Sequence, residues 1–241
     1  MFFFMLSFNL ILPEMNGFIS NLGGSTIKGS IIFLFSIAAG ISRPFAGKLA
    51  DLIGRKRSVY IGLIIAISAS ISYAFTGTLF LLLVLRFAHG LSAGFAPTGA
   101  TALLTDILPE GRKGAAMGLW GTFISLGIGI GQSLGSFIFA HSNYEILFVT
   151  SAAFGILAML LLSPIKETLT EQKKFNWKQL LIQWDDVLEP TVKPAALIML
   201  LTAISSGVIF VLTPDYSTFL SIENKGYFFG IYVLSLSLIH I

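Results

Sequence analysis

Long apolar runs separated by short polar segments make up most of this chain. Their length and lack of alternation predict membrane-crossing helices. The runs Gly29 to Ala46, Val59 to Phe75, Leu79 to Asp106, Gly114 to Ala140, Glu145 to Ser163 and Pro194 to Leu212 each read as one helix. Met1 to Leu12 is apolar apart from Ser7 and Asn9 but falls short of the ~20 residues a span requires. It reads either as a first helix lacking residues at its start or as one that continues past Pro13 and Glu14. Tyr227 to Ile241 begins a further helix, so about eight transmembrane segments are expected, the last incomplete. A membrane β-barrel needs segments that alternate in hydropathy, and these runs do not. The expected fold class is an all-α polytopic membrane protein.

The polar segments give the orientation. Met15 to Lys28, Thr76 to Thr78, His141 to Tyr144 and Pro214 to Gly226 read as loops on one side, and they hold only two of the fifteen basic residues, Lys28 and Lys225. Twelve others fall at the opposite ends of the helices, including Lys48, Arg55, Lys56 and Arg57 between the second and third runs. Short loops rich in Lys and Arg stay in the cytoplasm, so that side and the N-terminus are expected there. Pro164 to Lys193 is the one long polar stretch. In it Trp177, Leu180, Leu181, Trp184 and Leu188 recur at helical spacing, which fits an amphipathic helix on the membrane surface or a plain linker.

Composition narrows the classes. Charged residues make up 11% of the 241, against about a quarter in soluble domains, and the mean hydropathy is +0.86. There is no cysteine for a disulfide or thiolate metal site. The net charge of +3 resides in loops on one side and is not a nucleic-acid signal. No nucleophile elbow, phosphate loop, zinc motif or pair of intramembrane carboxylates is present, so neither an enzyme nor a cofactor is expected.

The stretch Gly47-Lys48-Leu49-Ala50-Asp51-Leu52-Ile53-Gly54-Arg55-Lys56-Arg57 resembles the cytoplasmic motif between helices 2 and 3 of the major facilitator superfamily, G-x-L-x-D-x-x-G-R-(K/R)-(K/R). Gly47, Leu49, Asp51, Gly54, Arg55, Lys56 and Arg57 match in order. The resemblance implies twelve helices in two six-helix halves: residues 1–163 as the first half, 164–193 as a cytoplasmic linker, and 194–241 as the start of the second. The chain is therefore expected to be a fragment, cut inside its eighth helix. It also implies a monomer in the plasma membrane whose partners are a small-molecule substrate, protons or another coupling ion, and the bilayer.

Arg86 and Gly90 match the superfamily's helix 4 pattern R-x-x-x-G, where the arginine is tied to proton coupling or substrate contact. An arginine inside a span costs about 2.5–3.5 kcal/mol on insertion scales. It faces a cavity or partner, or it is a structural arginine bonded to helix carbonyls or the interface. His89, one turn on, is a titratable candidate or a packing residue. Asn9 and Ser206 lie on helices that line the family's cavity, and with Arg86, His89 and Gln132 they form the expected substrate or proton path. Asp51, Arg55 and Asp106 are expected as a charge cluster that gates the inner side or staples it. Gly127, Gly131 and Gly135 match the helix 5 signature of drug/proton antiporters, G-x-x-x-G-P-x-x-G-G, or pack another helix closely. Gln132 replaces its proline and Ser136 its last glycine. Glu14 is the one carboxylate near helix 1, expected near the outer surface. The resemblance implies a secondary transporter, a proton-coupled exporter, with a proton-coupled importer of sugars or metabolites, or an inactive truncated product or scaffold, as alternatives.

Overall fold

A computed structural model describes residues 1–170, 191, 193–222 and 224–239. The expected amphipathic helix around Trp177 to Leu188 lies outside the described residues. Those described form helices and short connections: α1 (Phe2–Leu10), α2 (Met15–Asn21), α3 (Ser30–Ile53), α4 (Arg55–Tyr73), α5 (Leu79–Ile107), α6 (Lys113–Ala140), α7 (Tyr144–Leu162), α8 (Lys193–Phe219) and α9 (Tyr227–Ile239).

The first span continues past Pro13, the second of the two readings. Proline has no N–H and crowds the preceding turn, so α1 passes into a tight 3-10 turn, Leu12–Glu14, before α2 resumes. Together they make a 20-residue apolar segment, Phe2–Asn21. Among the described residues, six helices are long and apolar enough to cross a membrane: this one, α3, α5, α6, α7 and α8. The chain is thus a multi-pass, all-α membrane protein. The expectation of eight spans exceeds this number at two places. The helix α4 opens on Arg55-Lys56-Arg57, which lowers its hydropathy, and α9 has only 13 helical residues.

α5 is the central helix, packed along both α3 and α4, while α1 packs on α6 and α7, and α9 on α6. On α3 the residues Ala38, Ser42, Ala46 and Ala50, four apart, are buried. Phe33, Ile37, Ile41 and Phe45 on its other side are exposed apolar side chains, the face that lipid would cover. Ser7 of α1, Ser70 of α4 and Ser151 of α7 join three helices through one buried knot. Ser7 Oγ donates to the Ser151 carbonyl at 2.7 Å, Ser151 Oγ to the Ser7 carbonyl at 2.8 Å, and the Ser70 and Ser151 hydroxyls lie 3.1 Å apart. Such bonds join helices where burial in lipid supplies little net force.

α3 does not end at Ala46. It runs through Pro44 to Ile53, so Gly47 and Asp51 lie on helix and the turn shrinks to Gly54 alone. Asp51 therefore sits in the last turn of α3, not at the start of the next helix. Likewise α8 passes through Pro214 and ends at Phe219, inside the expected loop.

Candidate functional site

A cavity of about 240 Å³ opens between α1, α3, α5, α6 and α8. Phe8, Ile31, Phe35, Ile128 and Phe210 give it apolar and aromatic walls, and Asn9, Ser36 and Arg86 are its polar residues. Arg86 is 0% exposed. Its guanidinium carbon lies 5.1 Å from the centre of the Tyr73 ring, a cation–π contact. Its Nε, Nη1 and Nη2 have no hydrogen-bond partner among the described residues. Arginine carries five N–H donors in a planar fork suited to carboxylates and other acceptors. Here that fork borders a cavity with its donors unused.

His89 stands behind this group rather than on the cavity wall. Its Nδ1 is 3.3 Å from the Tyr73 hydroxyl, which donates to the Leu85 carbonyl at 3.2 Å. Its ring meets Phe8 and Phe35 edge-on. Histidine and tyrosine together fix the floor under Arg86. Asn9 lines the cavity with Arg86 and is tied to Gln132, whose Nε2 donates to Asn9 Oδ1 at 3.3 Å. Where the antiporter signature has proline, this chain has an amide that links α6 to α1. Ser206 falls within α8, and its side chain is not among those described.

The α6 glycines serve close approach. A Cβ at Gly127 would lie 2.7 Å from the Phe2 carbonyl oxygen, one at Gly131 2.8 Å from that of Leu6, and one at Gly135 would collide with the Leu10 carbonyl. One turn of α1 thus rests on each glycine.

Glu14 is 1% exposed, although the sequence placed it near the surface. The bend after Pro13 turns it inward, onto α6. Its Oε1 accepts from Ser136 Oγ at 2.9 Å, and its Oε2 pairs with Lys225 Nζ at 2.7 Å. Ser136 is the residue that replaces the last signature glycine. At the same end, Lys28 pairs with Asp215 at 2.8 Å, and Asn16 Nδ2 donates to the Val211 carbonyl at 2.9 Å. Residues near α1, α2 and α3 are thereby joined to α8 and the turn before α9. Sequence separations near 200 hide these partners from any local reading.

At the other end Arg55 gathers the expected charge cluster. Its Nη1 bonds Asp51 and, at 2.9 Å, the Ala50 carbonyl, while its Nε donates to Asp106 at 3.2 Å. A residue the sequence reading missed completes it. The Glu167 carboxylate accepts the backbone N–H groups of Arg55 at 2.9 Å and Lys56 at 3.0 Å, capping the start of α4. The only signal was an acid five residues beyond α7, complementary in charge to the basic turn. Thr168 Oγ1 donates to Asp106 at 2.6 Å, and Lys56 Nζ to the Ser163 carbonyl at 2.7 Å. Gly54 has φ of 126°, and a Cβ there would strike the Glu167 carboxylate. Arg57 reaches back to the Ile53 carbonyl at 3.1 Å, and Gly47 faces open space. Replacing Glu167 by alanine is expected to destabilise the fold by about 1 kcal/mol, as loss of a helix cap does. The check is a lower melting midpoint of the purified protein in detergent.

The sequence model of the Major Facilitator Superfamily matches residues 1–240. Among curated proteins, the chain is 30% identical over 211 residues to the quinolone resistance protein NorA of Staphylococcus aureus, covering 84% of this chain and 54% of that protein. It is 32% identical over 171 residues to multidrug resistance protein 2 of Bacillus subtilis, covering 70% of this chain and 42% of that one. The chain spans about half the length of these relatives. Among solved structures, the human organic anion transporter MFSD10 superposes with a TM-score of 0.76 at 18% identity, over 99% of this chain and 68% of that one. At that identity the likeness concerns the fold.

Proposed function

We propose, proceeding from the fact that this chain belongs to the Major Facilitator Superfamily, that the whole protein is a secondary active transporter exporting a small lipophilic molecule by alternating access in exchange for protons. Residues 1–163 are its first six-helix half, 164–193 the connection, and 194–241 the start of the second half, with α4 and α9 also crossing the membrane. The Arg55 end faces the cytoplasm, and the protein resides in the plasma membrane. The names of the relatives, quinolone resistance and multidrug resistance, support export of lipophilic compounds. The observation that carries the reading is Arg86, buried and with no hydrogen-bond partner among the described residues, at the edge of an aromatic cavity that α8 helps to close. A substrate with an apolar body and an acceptor or anionic group fits that lining. The Asp51–Arg55–Asp106–Glu167 cluster holds the cytoplasmic end of the first half together while the halves rock.

The test is accumulation of a fluorescent lipophilic dye in cells expressing the whole protein. The expected result is several-fold lower dye than in control cells, restored by a protonophore. Unchanged dye would overturn the reading, and higher dye that needs the proton gradient would reverse its direction.

A further inference from the structure

Tyr73 does not line the central cavity, yet it touches the one charged residue described there. It ends α4, and none of its surface is exposed. It grips α5 at two levels. Its ring meets the Arg86 guanidinium carbon at 5.1 Å. Its hydroxyl donates to the carbonyl of Leu85, the residue before Arg86, and lies 3.3 Å from His89 Nδ1, one turn on. Phe148 of α7 backs the ring, with centres 5.3 Å apart, and His89 is in turn held edge-on by Phe8 and Phe35 of the cavity wall. Tyr73 is thus fixed from α5 and α7 where it meets the arginine. How that arginine is held decides what it can bind. A buried guanidinium keeps its charge and needs a partner. A carboxylate of the chain would supply one, but it would occupy the fork and cancel the charge. No described residue lining the cavity is acidic, and the buried carboxylate of Glu14 is held by Ser136 and Lys225 instead. An aromatic face attracts the cation through its quadrupole and takes up neither the charge nor the in-plane bonding directions of the fork. Nε, Nη1 and Nη2 of Arg86 accordingly have no hydrogen-bond partner among the described residues.

We propose that Tyr73 is a positioning residue that keeps this fork open, and that the cavity thereby selects lipophilic molecules bearing a carboxylate over neutral ones of the same shape. This rests on the transporter reading for the cavity as a substrate site, and deepens it by naming the group recognised there. Phe8, Phe35 and Phe210 cover the apolar body. The two carboxylate oxygens lie in one plane and match two parallel N–H bonds from the fork. An amide of the same body offers one acceptor oxygen and no charge, and it brings two donors for which Arg86 has no acceptor. With an aliphatic side chain in place of the Tyr73 ring, the guanidinium turns to helix carbonyls, since buried donors find acceptors within reach. The fork is then occupied, and the discrimination is lost while the apolar walls remain.

The test is equilibrium dialysis of the whole protein in lipid nanodiscs against anthracene-9-carboxylate and anthracene-9-carboxamide, with binding to empty discs subtracted, at about pH 7.5, where the acid is ionised. The wild type is expected to bind the carboxylate roughly tenfold more tightly than the amide, as a charge-assisted bond implies. Tyr73→Phe keeps the ring face and should keep that ratio. Tyr73→Leu should bring the two affinities together, by weakening the carboxylate and leaving the amide almost unchanged. Tyr73→Gln, whose side-chain oxygen accepts from the fork, should do the same, and it decides if the leucine variant does not fold. A wild type without the preference, a Tyr73→Phe variant that loses it, or a Tyr73→Leu or Tyr73→Gln variant that keeps it overturns the proposal. Equal weakening of both probes overturns it too, and makes Tyr73 a packing residue. Dye export by the same protein in cells separates the two readings. Export without carboxylate preference removes this inference and leaves the transporter, whereas a Tyr73-dependent preference in a protein that exports nothing removes transport and leaves a binding site.

Discussion

Replacing Arg86 by alanine is expected to cut transport by roughly tenfold or more, while the folded protein melts no lower than before. Under the proposed function, the activity loss follows from removing charge-assisted bonds that Arg86 would make to the substrate, worth about 1.5–3 kcal/mol each. The stability prediction has the opposite sign from an ordinary core truncation. A buried charge with no hydrogen-bonding partner among the described residues costs several kcal/mol in the resting protein, by the order of magnitude for desolvating an ion. Alanine removes that cost, and the aromatic contact with Tyr73 that is lost is worth about 1–2 kcal/mol. Arg86→Lys keeps a charge but not the planar fork, so it should retain only part of the transport rate. Initial dye-efflux rates and melting of the purified protein check both halves of the claim. A variant that transports normally but melts lower would make Arg86 a structural residue.

Gly135→Leu is expected to prevent folding. The position already places the α6 backbone against the Leu10 carbonyl, with no room for a Cβ. α1 cannot retreat without breaking the Ser136–Glu14 bond on one side or the serine knot on the other. Overpacking a tight site commonly costs about 1–3 kcal/mol per insertion, and here two rigid backbones oppose it. Gly121→Leu is the matched control, on the same helix but with nothing within 4 Å of its Cβ direction. Fluorescence-detected size-exclusion of the two variants should give a collapsed monodisperse peak for the first and a normal one for the second.

Much of the architecture was legible because hydropathy and charge repeat over whole helices. The starts of α5 and α9 and the limits of α6 and α7 fell within a residue or two of those expected. Boundaries failed where tertiary packing overrode a local breaker. α3 ran on past Ala46 through Gly47 to Ile53, Pro214 did not stop α8, and the start of α4 moved back to Arg55 because Glu167 caps it there. Arg55 with Asp51 and Asp106 was readable from a contiguous motif plus one acid at a helix end. Arg86 was visible as a charge where charge is expensive. The burial of Glu14 was not legible, since it depends on a partner 211 residues away and on the bend at Pro13. Gln132 read as a defect in a signature, yet its amide ties Asn9 of α1 to α6.

The three-serine knot has a mechanical corollary. Because Ser7, Ser70 and Ser151 stitch α1, α4 and α7 to one another, these helices must be carried as a unit by any rocker motion. In the proposed transport cycle the slip plane then falls where the Gly226 backbone seats on that of Gln132 and Ser133 and Gly230 meets the Ser133 side chain, two positions at which the α9 segment offers no side chain of its own.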